Sequence, residues 1–169
     1  MERIRKLEKE ALRELRVWWD GLAKRDRGTR AELRRCSTLL EVMQVPGFHA
    51  LRHRLIEQGL PKRDADDPRL ALIVGVISHL KQVGDNGPPE AMSSETRDDK
   101  APVSPLRFRQ LLEARDDDEL FQRVRRVLPL ARGISLEKLC EDLFGWNDSI
   151  RKGWVYRYRW PQSSNNKSN

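Results

Sequence analysis

The fold is decided by residues 66–84, which read DDPRLALIVGVISHLKQVG. Pro68 suits the first turn of a helix, because proline lacks an N–H that this turn would leave unbonded, and Gly84 suits a helix end. Between them, apolar residues cover the helix on nearly every side, which is typical of a buried helix. The sequence therefore predicts one central helix surrounded by others. The apolar run LALIVGVI is too short to span a bilayer.

Helical spacing of apolar residues continues on both sides of this segment, and no alternating strand pattern stands out. Residues 3–22 carry apolar side chains every three or four positions, which predicts a first helix. A second helix is expected in FHALRHRLIEQG, residues 48–59, with its end at Gly59. The chain is therefore predicted to be all-α. The buried residues of the second helix are expected to be Phe48, Leu51, Leu55 and Ile56.

The stretch RGTRAELRR, residues 27–35, predicts a further helix. Thr29 followed by Glu32 has the spacing of a capping box, in which each side chain bonds the other residue's backbone amide. The helix is therefore expected to begin at Arg30. Its apolar face is expected to contain Leu33, Cys36 and Leu40.

Residues 84–103 change in character, because Gly, Pro, Ser and acidic residues replace the periodic apolar pattern. This composition predicts a flexible linker. The linker would divide the protein into two lobes of helical bundle, residues 1–83 at the N-terminal side and residues 104–160 at the C-terminal side. Residues 161–169 are polar and predicted to be a disordered tail.

The helices of the C-terminal lobe carry recognisable start signals. Ser104 precedes a proline, Ser135 precedes an apolar run, and either Asn147 or Asp148 can cap the last helix. The run Asp116 to Glu119 favours a helix N-terminus, where negative charge is stabilised by the helix dipole.

The charge balance indicates a polyanionic partner. The 169 residues include 33 Lys and Arg against 26 Asp and Glu, for a net charge of +7 and a pI near 9.8. Residues 1–60 carry +5, residues 61–103 carry −2 and residues 104–169 carry +4. Cys36 and Cys140 fall in different predicted helices, which disfavours a disulfide scaffold. With no apolar signal core in MERIRKLEKE, the expected location is the cytoplasm.

Catalytic and metal-binding chemistry finds little support. His49 and His53 have the i, i+4 spacing of paired ligands, but no further ligand stands at zinc-site spacing, so no metal and no cofactor are expected. The sequence contains no Walker loop, no nucleophile elbow and no zincin motif, so no enzyme is expected. Trp18, Phe121 and Trp154 are expected in the core. For Trp19, Trp146 and Trp160, the sequence does not decide between a position in the core and an exposed position at a protein–protein contact.

Basic side chains recur in clusters in both predicted lobes. Arginine outnumbers lysine, and its planar fork suits bidentate phosphate contacts. One such cluster alone is most often a solvated face, but the recurrence favours a groove that follows a nucleic-acid backbone. The candidate residues are Arg27, Arg30, Arg34, Arg35, Lys81, Arg107, Arg109, Arg123, Arg125, Arg126, Arg151 and Lys152.

Five stretches in fixed order carry a family resemblance. They are WWDGL, RGTRAELRR, RLALIVGVISHLK, SPLRFRQLLEARDDDELFQRVRRVLPLA and LCEDLFGWNDSIRKGWVYRY. Together they resemble the CasB family, the small subunit of the type I-E CRISPR Cascade surveillance complex. The resemblance covers nearly the whole chain apart from the predicted linker and tail.

The resemblance implies a non-catalytic, all-helical protein of antiviral defence. Members pair with a second copy of themselves and contact the Cascade backbone subunits and the large subunit. They help to hold the crRNA, the target DNA strand and the displaced non-target strand in the R-loop, and no membrane or small-molecule substrate is implied. Their basic positions correspond to Arg34, Arg35, Arg107, Arg109, Arg125, Arg126, Arg151 and Lys152, and by neighbourhood to Arg27, Arg30, Lys81 and Arg123.

Two other functions are compatible with the sequence. One is a structural helical adaptor whose charge only maintains solubility. The other is a free-standing regulator that uses residues 27–35 in a helix-turn-helix, which would require a second helix able to reach base edges in the major groove.

Overall fold

The structure is a computed structural model that describes residues 6–96 and 100–161. Over these ranges the chain is all-helical, which confirms the predicted fold class, and the only β pairing is an isolated bridge between Asn86 and Ile134. The helices are α1 (Lys9–Lys24), α2 (Arg27–Arg35), α3 (Leu39–Met43), α4 (Pro46–Glu57), α5 (Asp66–Ile77), α6 (Pro88–Met92), α7 (Pro105–Leu112), α8 (Asp117–Val127), α9 (Leu136–Phe144) and α10 (Asp148–Arg157).

Helix α5 is the central element, as its sequence predicts. Every residue from Leu70 to Ile77 is buried, and the helix packs against α3, α8 and α9. Gly75 permits a close approach of α8, because a Cβ at this position would lie 2.7 Å from the ring of Phe121. Buried side chains from both halves of the chain thus join in one hydrophobic core.

Helix α5 ends at Ile77, earlier than the predicted end at Gly84. The Ser78 hydroxyl donates a hydrogen bond of 2.6 Å to the carbonyl of Gly75. A serine that bonds the preceding turn in this way competes with the regular helical ladder. The amides of His79 and Leu80 then bond carbonyls three residues back, which forms a tight turn.

Helix α2 begins at Arg27, so the predicted start at Arg30 is wrong. Asp26 is the N-cap, and its Oδ1 accepts a hydrogen bond of 3.2 Å from the Thr29 amide. Aspartate is a strong capping residue and stands three positions before Thr29, so the helix gains one turn. Thr29 lies instead against Gly47 of α4, where an added Cβ would meet it at 2.4 Å.

Two expected core residues are exposed. Leu40 is 66% exposed, because α2 ends at Arg35 and a separate short helix, α3, changes the direction of the chain. Ile56 is 49% exposed, whereas Phe48, Leu51 and Leu55 on the same helix are buried as predicted. Gly59 follows this helix with a φ of 77°, consistent with the predicted stop.

The described part of 84–103 is packed, in contrast to the predicted linker without regular structure. It contains α6, and Pro88, Met92 and Val103 are buried. The amide of Gly84 donates a hydrogen bond of 2.8 Å to the Ile134 carbonyl. Backbone bonds to a distant part of the chain thus hold this Gly- and Pro-rich segment in place, although it has little tendency to form a helix. The division into two lobes stays a prediction.

The predicted start signals of the last four helices are confirmed, and of the two candidates for the last helix Asn147 is the cap. Ser104, Asp116, Ser135 and Asn147 each accept a hydrogen bond from a backbone amide three residues later. Trp18, Phe121 and Trp154 are buried, as expected.

The two ends of the chain are described only in part. Helix α1 begins at Lys9, and Lys6 to Glu8 precede it without helical structure, although a start near Arg3 was expected. Residues 1–5 lie outside the described part, as do residues 97–99 and residues 162–169 of the predicted tail.

Candidate nucleic-acid interface

Arginines from α2 and α8 meet beside the C-terminal end of α5. Arg34 donates a hydrogen bond of 3.1 Å from Nε to the carbonyl of Ser78. Arg125 donates from Nη1 to the carbonyl of Cys36, at the end of α2. Arg30 stands one helical turn before Arg34 on the same flank. We call Arg30, Arg34 and Arg125 the junction arginines, because they come from opposite sides of 84–103 in the sequence.

Two of these cations act on the imidazole of His79. Burial, and after it the positive charges of Arg125 and Arg34, lower the pKa of His79 to about 4. The pKa of Arg34 is itself lowered by burial and by the charge of Arg30. Within the described chain, no hydrogen-bond partner lies at His79 Nε2. The junction therefore concentrates positive charge, which favours a bound anion.

A second basic cluster lines a groove between α7 and α8, which we call the α7–α8 groove. Arg107, Arg123 and Arg126 line it together with Val127 and Leu130. Arg123 is engaged internally, since Nη2 lies 2.6 Å from Glu119 and Nη1 bonds the carbonyl of Gln110. Arg107 and Arg126 are exposed, and in the described part of the chain neither forms a salt bridge within 4.0 Å. They are available for an external anion.

Helix α8 connects the two clusters. Successive residues of a helix are rotated by about 100°, so Arg123 and Arg125 project from opposite flanks when Val124 faces the core. The contacts agree with this geometry, because Arg125 reaches α2 and Arg123 reaches α7. Arg126 lies on the outer surface between them. The junction arginines and the α7–α8 groove therefore adjoin across a single helix.

The remaining basic candidates of the second half are divided. Arg109 leaves α7 on the flank opposite Arg107, and its guanidinium lies 5.4 Å from the ring centroid of Trp160. Arg151 is engaged by Asp148 at 2.6 Å and by the Leu112 carbonyl at 3.5 Å. Lys152 is exposed on α10. Arg151 is thus the weakest of these candidates.

Arg27, Arg35 and Lys81 lie near the junction in sequence but contribute differently. Arg27 donates a hydrogen bond of 3.4 Å from Nε to the carbonyl of Ala23, so its side chain lies against the end of α1. Arg35 is exposed in the last turn of α2, and Lys81 is exposed just after the turn that contains His79. The last two can extend the positive surface of the junction.

Two aromatic side chains near the end of α10, Tyr156 and Trp160, are exposed at the surface. Trp160, left open by the sequence, is 37% exposed, whereas Trp146 is buried and Trp19 donates from Nε1 to the Leu80 carbonyl at 3.3 Å. Tyr156 is 87% exposed and is not among the sequence candidates. The signal for both was the alternation of aromatic and basic residues in WVYRYRW, residues 154–160.

The acidic run before α8 has structural partners. Asp116 caps the helix, Asp117 binds Arg69 at 2.9 Å and Asp118 accepts the Leu39 amide at 2.7 Å. Residues 6–96 and 100–161 contain no group of three or more His, Cys, Asp or Glu side chains that could hold a metal ion. In the same ranges, no helix has the length and apolar character needed to cross a membrane.

Comparison with known proteins gives one match. The family described as CRISPR-associated protein Cse2 matches residues 29–158, which is more than half of the chain. This range includes every basic candidate except Arg27. Neither the curated proteins nor the solved structures contain a match.

Proposed function

The chain belongs to the CRISPR-associated Cse2 family, or CasB, the small subunit of the type I-E Cascade complex, and from this membership we propose that it binds nucleic-acid backbone and stabilises the R-loop. In this role the protein is non-catalytic. Its partners are the crRNA, the target and displaced DNA strands, the other Cascade subunits and a second copy of itself. Its place of action is the cytoplasm, without a membrane or small-molecule substrate.

The observation that carries the proposal is the convergence of Arg34 and Arg125 on His79. The pKa of this half-buried imidazole is lowered by burial and then by both cations, and the pKa of Arg34 is lowered by burial and by the charge of Arg30, so an anion bound at this point would be favoured. Arg107 and Arg126 continue the positive surface on the other side of α8. A phosphate chain is the repeating anion that such a surface fits.

The energetics of R-loop formation make contacts of this kind sufficient. The RNA–DNA duplex that forms is about as stable as the DNA duplex it replaces, so modest protein–backbone contacts decide the balance. Exposed guanidinium groups supply these contacts without reading sequence. They also make the interaction sensitive to salt.

The local structure disfavours the helix-turn-helix alternative. The helix that follows α2 is α3, which has five residues. A recognition helix must lie in the major groove with several side chains on base edges, and a helix this short offers little more than one turn. The adaptor without nucleic-acid contact is the alternative that the experiment below tests.

The experiment measures R-loop lifetime in assembled Cascade that carries Arg107→Ala with Arg126→Ala. We expect normal assembly and an R-loop that dissociates about tenfold faster, since two phosphate contacts are lost. The matched control is Lys9→Ala with Arg13→Ala, which removes the same charge from exposed positions on α1. An R-loop equally stable in the two double variants would support the adaptor and refute the proposal.

A further inference from the structure

The end of α10 presents two aromatic side chains at the surface. Tyr156, in the last turn, is 87% exposed, and Trp160, three residues beyond the helix, is 37% exposed. The Trp160 indole folds back along the helix, because Nε1 donates a hydrogen bond of 2.9 Å to the carbonyl of Val155. The two rings therefore lie at the same end of α10.

The orientation of Trp160 is fixed from below by two buried rings. Phe108 and Tyr158 are stacked, with centroids 4.1 Å apart and an interplanar angle of 9°. The indole meets Tyr158 at 4.8 Å and 74°, and meets Phe108 at 5.6 Å and 73°. An aromatic side chain that is held in one orientation and still reaches solvent loses little conformational entropy when a planar ligand binds.

The charges around these rings are positive. The Arg109 guanidinium lies 5.4 Å from the Trp160 centroid, and Lys152 stands one turn before Tyr156 on the exposed side of α10. The nearby carboxylates are paired, since Asp148 binds Arg151 and Asp142 binds Arg157. The surface is thus complementary to a ligand that combines negative charge with planar aromatic rings.

We propose that Tyr156 and Trp160 stack unpaired bases of a single nucleic-acid strand, with Arg109 and Lys152 on the adjacent phosphates. Every base has a π-face, so stacking is tolerant of sequence, and a base in a duplex is already stacked on its neighbours. The surface therefore selects single strands. This inference rests on the proposed function and adds the strand type and the contact that recognises it.

The position of Arg109 joins this surface to the α7–α8 groove. Arg107 and Arg109 project from opposite flanks of α7, because Phe108 between them faces the core. A strand whose phosphates lie in the groove can cross α7 and bring its bases to Trp160. The backbone contacts and the stacking contacts then belong to the same ligand.

The test uses the full-length chain, an oligothymidylate of about 16 nucleotides and an abasic strand of the same length. Trp160→Leu and Tyr156→Ala are each expected to weaken oligothymidylate binding by roughly 5- to 150-fold, the usual range for one stacked base. Both should leave the affinity for the abasic strand and the salt dependence unchanged. Trp160→Phe should retain most of the binding, and the control Ile56→Ala removes a comparably exposed apolar side chain on α4.

Four results would overturn the inference. An equal loss of affinity for the abasic strand would mean that the variants disturb backbone contacts. If Trp160→Leu and Tyr156→Ala bound oligothymidylate as tightly as the wild type, base stacking would be refuted. If binding still depended on Arg107 and Arg126 in that case, the proposed function would not be refuted. A change of oligomeric state in sedimentation, without loss of strand binding, would assign the rings to a contact between copies. Failure of the wild-type chain to bind either strand would refute both proposals.

Discussion

Arg125 of α8 donates a hydrogen bond to the backbone carbonyl of Cys36, where α2 ends. The carbonyls at a helix C-terminus carry partial negative charge and lack partners within the helix, so a guanidinium is favourable there. This contact places Arg125 beside Arg34, whose Nε is bound to Ser78. Cations separated by about 90 residues of sequence thus share one part of the surface.

His79 should make folding stability depend on pH. Its pKa is lowered to about 4 by burial and then by Arg125 and Arg34. As the pH falls, His79 therefore binds a proton near pH 6.5 in the unfolded chain but only near pH 4 in the folded chain. Stability should be full above pH 6.5 and fall by about 1–2 kcal/mol between pH 6.5 and pH 4, allowing for residual solvent exposure. Urea unfolding over this range measures the loss.

The matched comparison for this prediction uses His53, one of the two exposed histidines of α4. His79→Gln should flatten the stability profile between pH 6.5 and pH 4, whereas His53→Gln should leave it as in the wild type. Identical profiles for the two variants would show that His79 is not the responsible group.

Gly75 should tolerate no side chain. A Cβ at this position would lie 2.7 Å from the Phe121 ring, so Gly75→Ala should destabilise the protein by about 1–3 kcal/mol through overpacking. Gly153→Ala on α10 is the control, because no atom outside its own helix backbone and chain neighbours lies within 4 Å of the added Cβ. That substitution should stabilise by about 0.5–1 kcal/mol. Thermal unfolding of both variants measures the difference, and a harmless Gly75→Ala would contradict the close packing of α5 on α8.

Substitution of the partly buried Arg69 should lower the free energy of unfolding more than substitution of the other arginines. Its Nε binds Asp117 at 2.9 Å, and its Nη1 reaches the carbonyls of Phe144 at 3.2 Å and Trp146 at 2.9 Å. Arg69→Met keeps the apolar stem but leaves these acceptors unpaired, so we expect a loss of about 2–3 kcal/mol. Asp117→Asn should cost less than about 1 kcal/mol, since an amide oxygen can still accept the bond. Chemical denaturation would contradict this account if Asp117→Asn were the more damaging change.

The sequence predicts the parts of the fold that depend on local chemistry. The apolar run around Val74 identifies the central helix, and a polar cap at Ser104, Ser135 and Asn147 identifies three helix starts. The start of α2 is mispredicted because Asp26 and Thr29 are both good caps three residues apart, and the choice depends on the packing of Thr29 against Gly47.

Long-range contacts explain what the sequence does not predict. Residues around Met92 have the composition of a linker, yet they are buried through backbone bonds to the loop before α9. Among the basic candidates, Arg123 and Arg151 have Glu119 and Asp148 at i,i+4 and i,i+3 spacing on the same helix, so these two pairs could have been predicted from the sequence. The bonds from Arg34 to the Ser78 carbonyl and from Arg125 to the Cys36 carbonyl join distant parts of the chain and could not.

The most direct test of the central claim is the salt dependence of single-strand binding by Arg30→Ala, Arg126→Ala and the double variant. If cations from both sides of 84–103 bind one phosphate chain, each substitution should reduce the slope of log K against log salt by about 0.7, and the double variant by about 1.4. A slope that stays at the wild-type value in the double variant would contradict the claim, because the two arginines would then contact no phosphate.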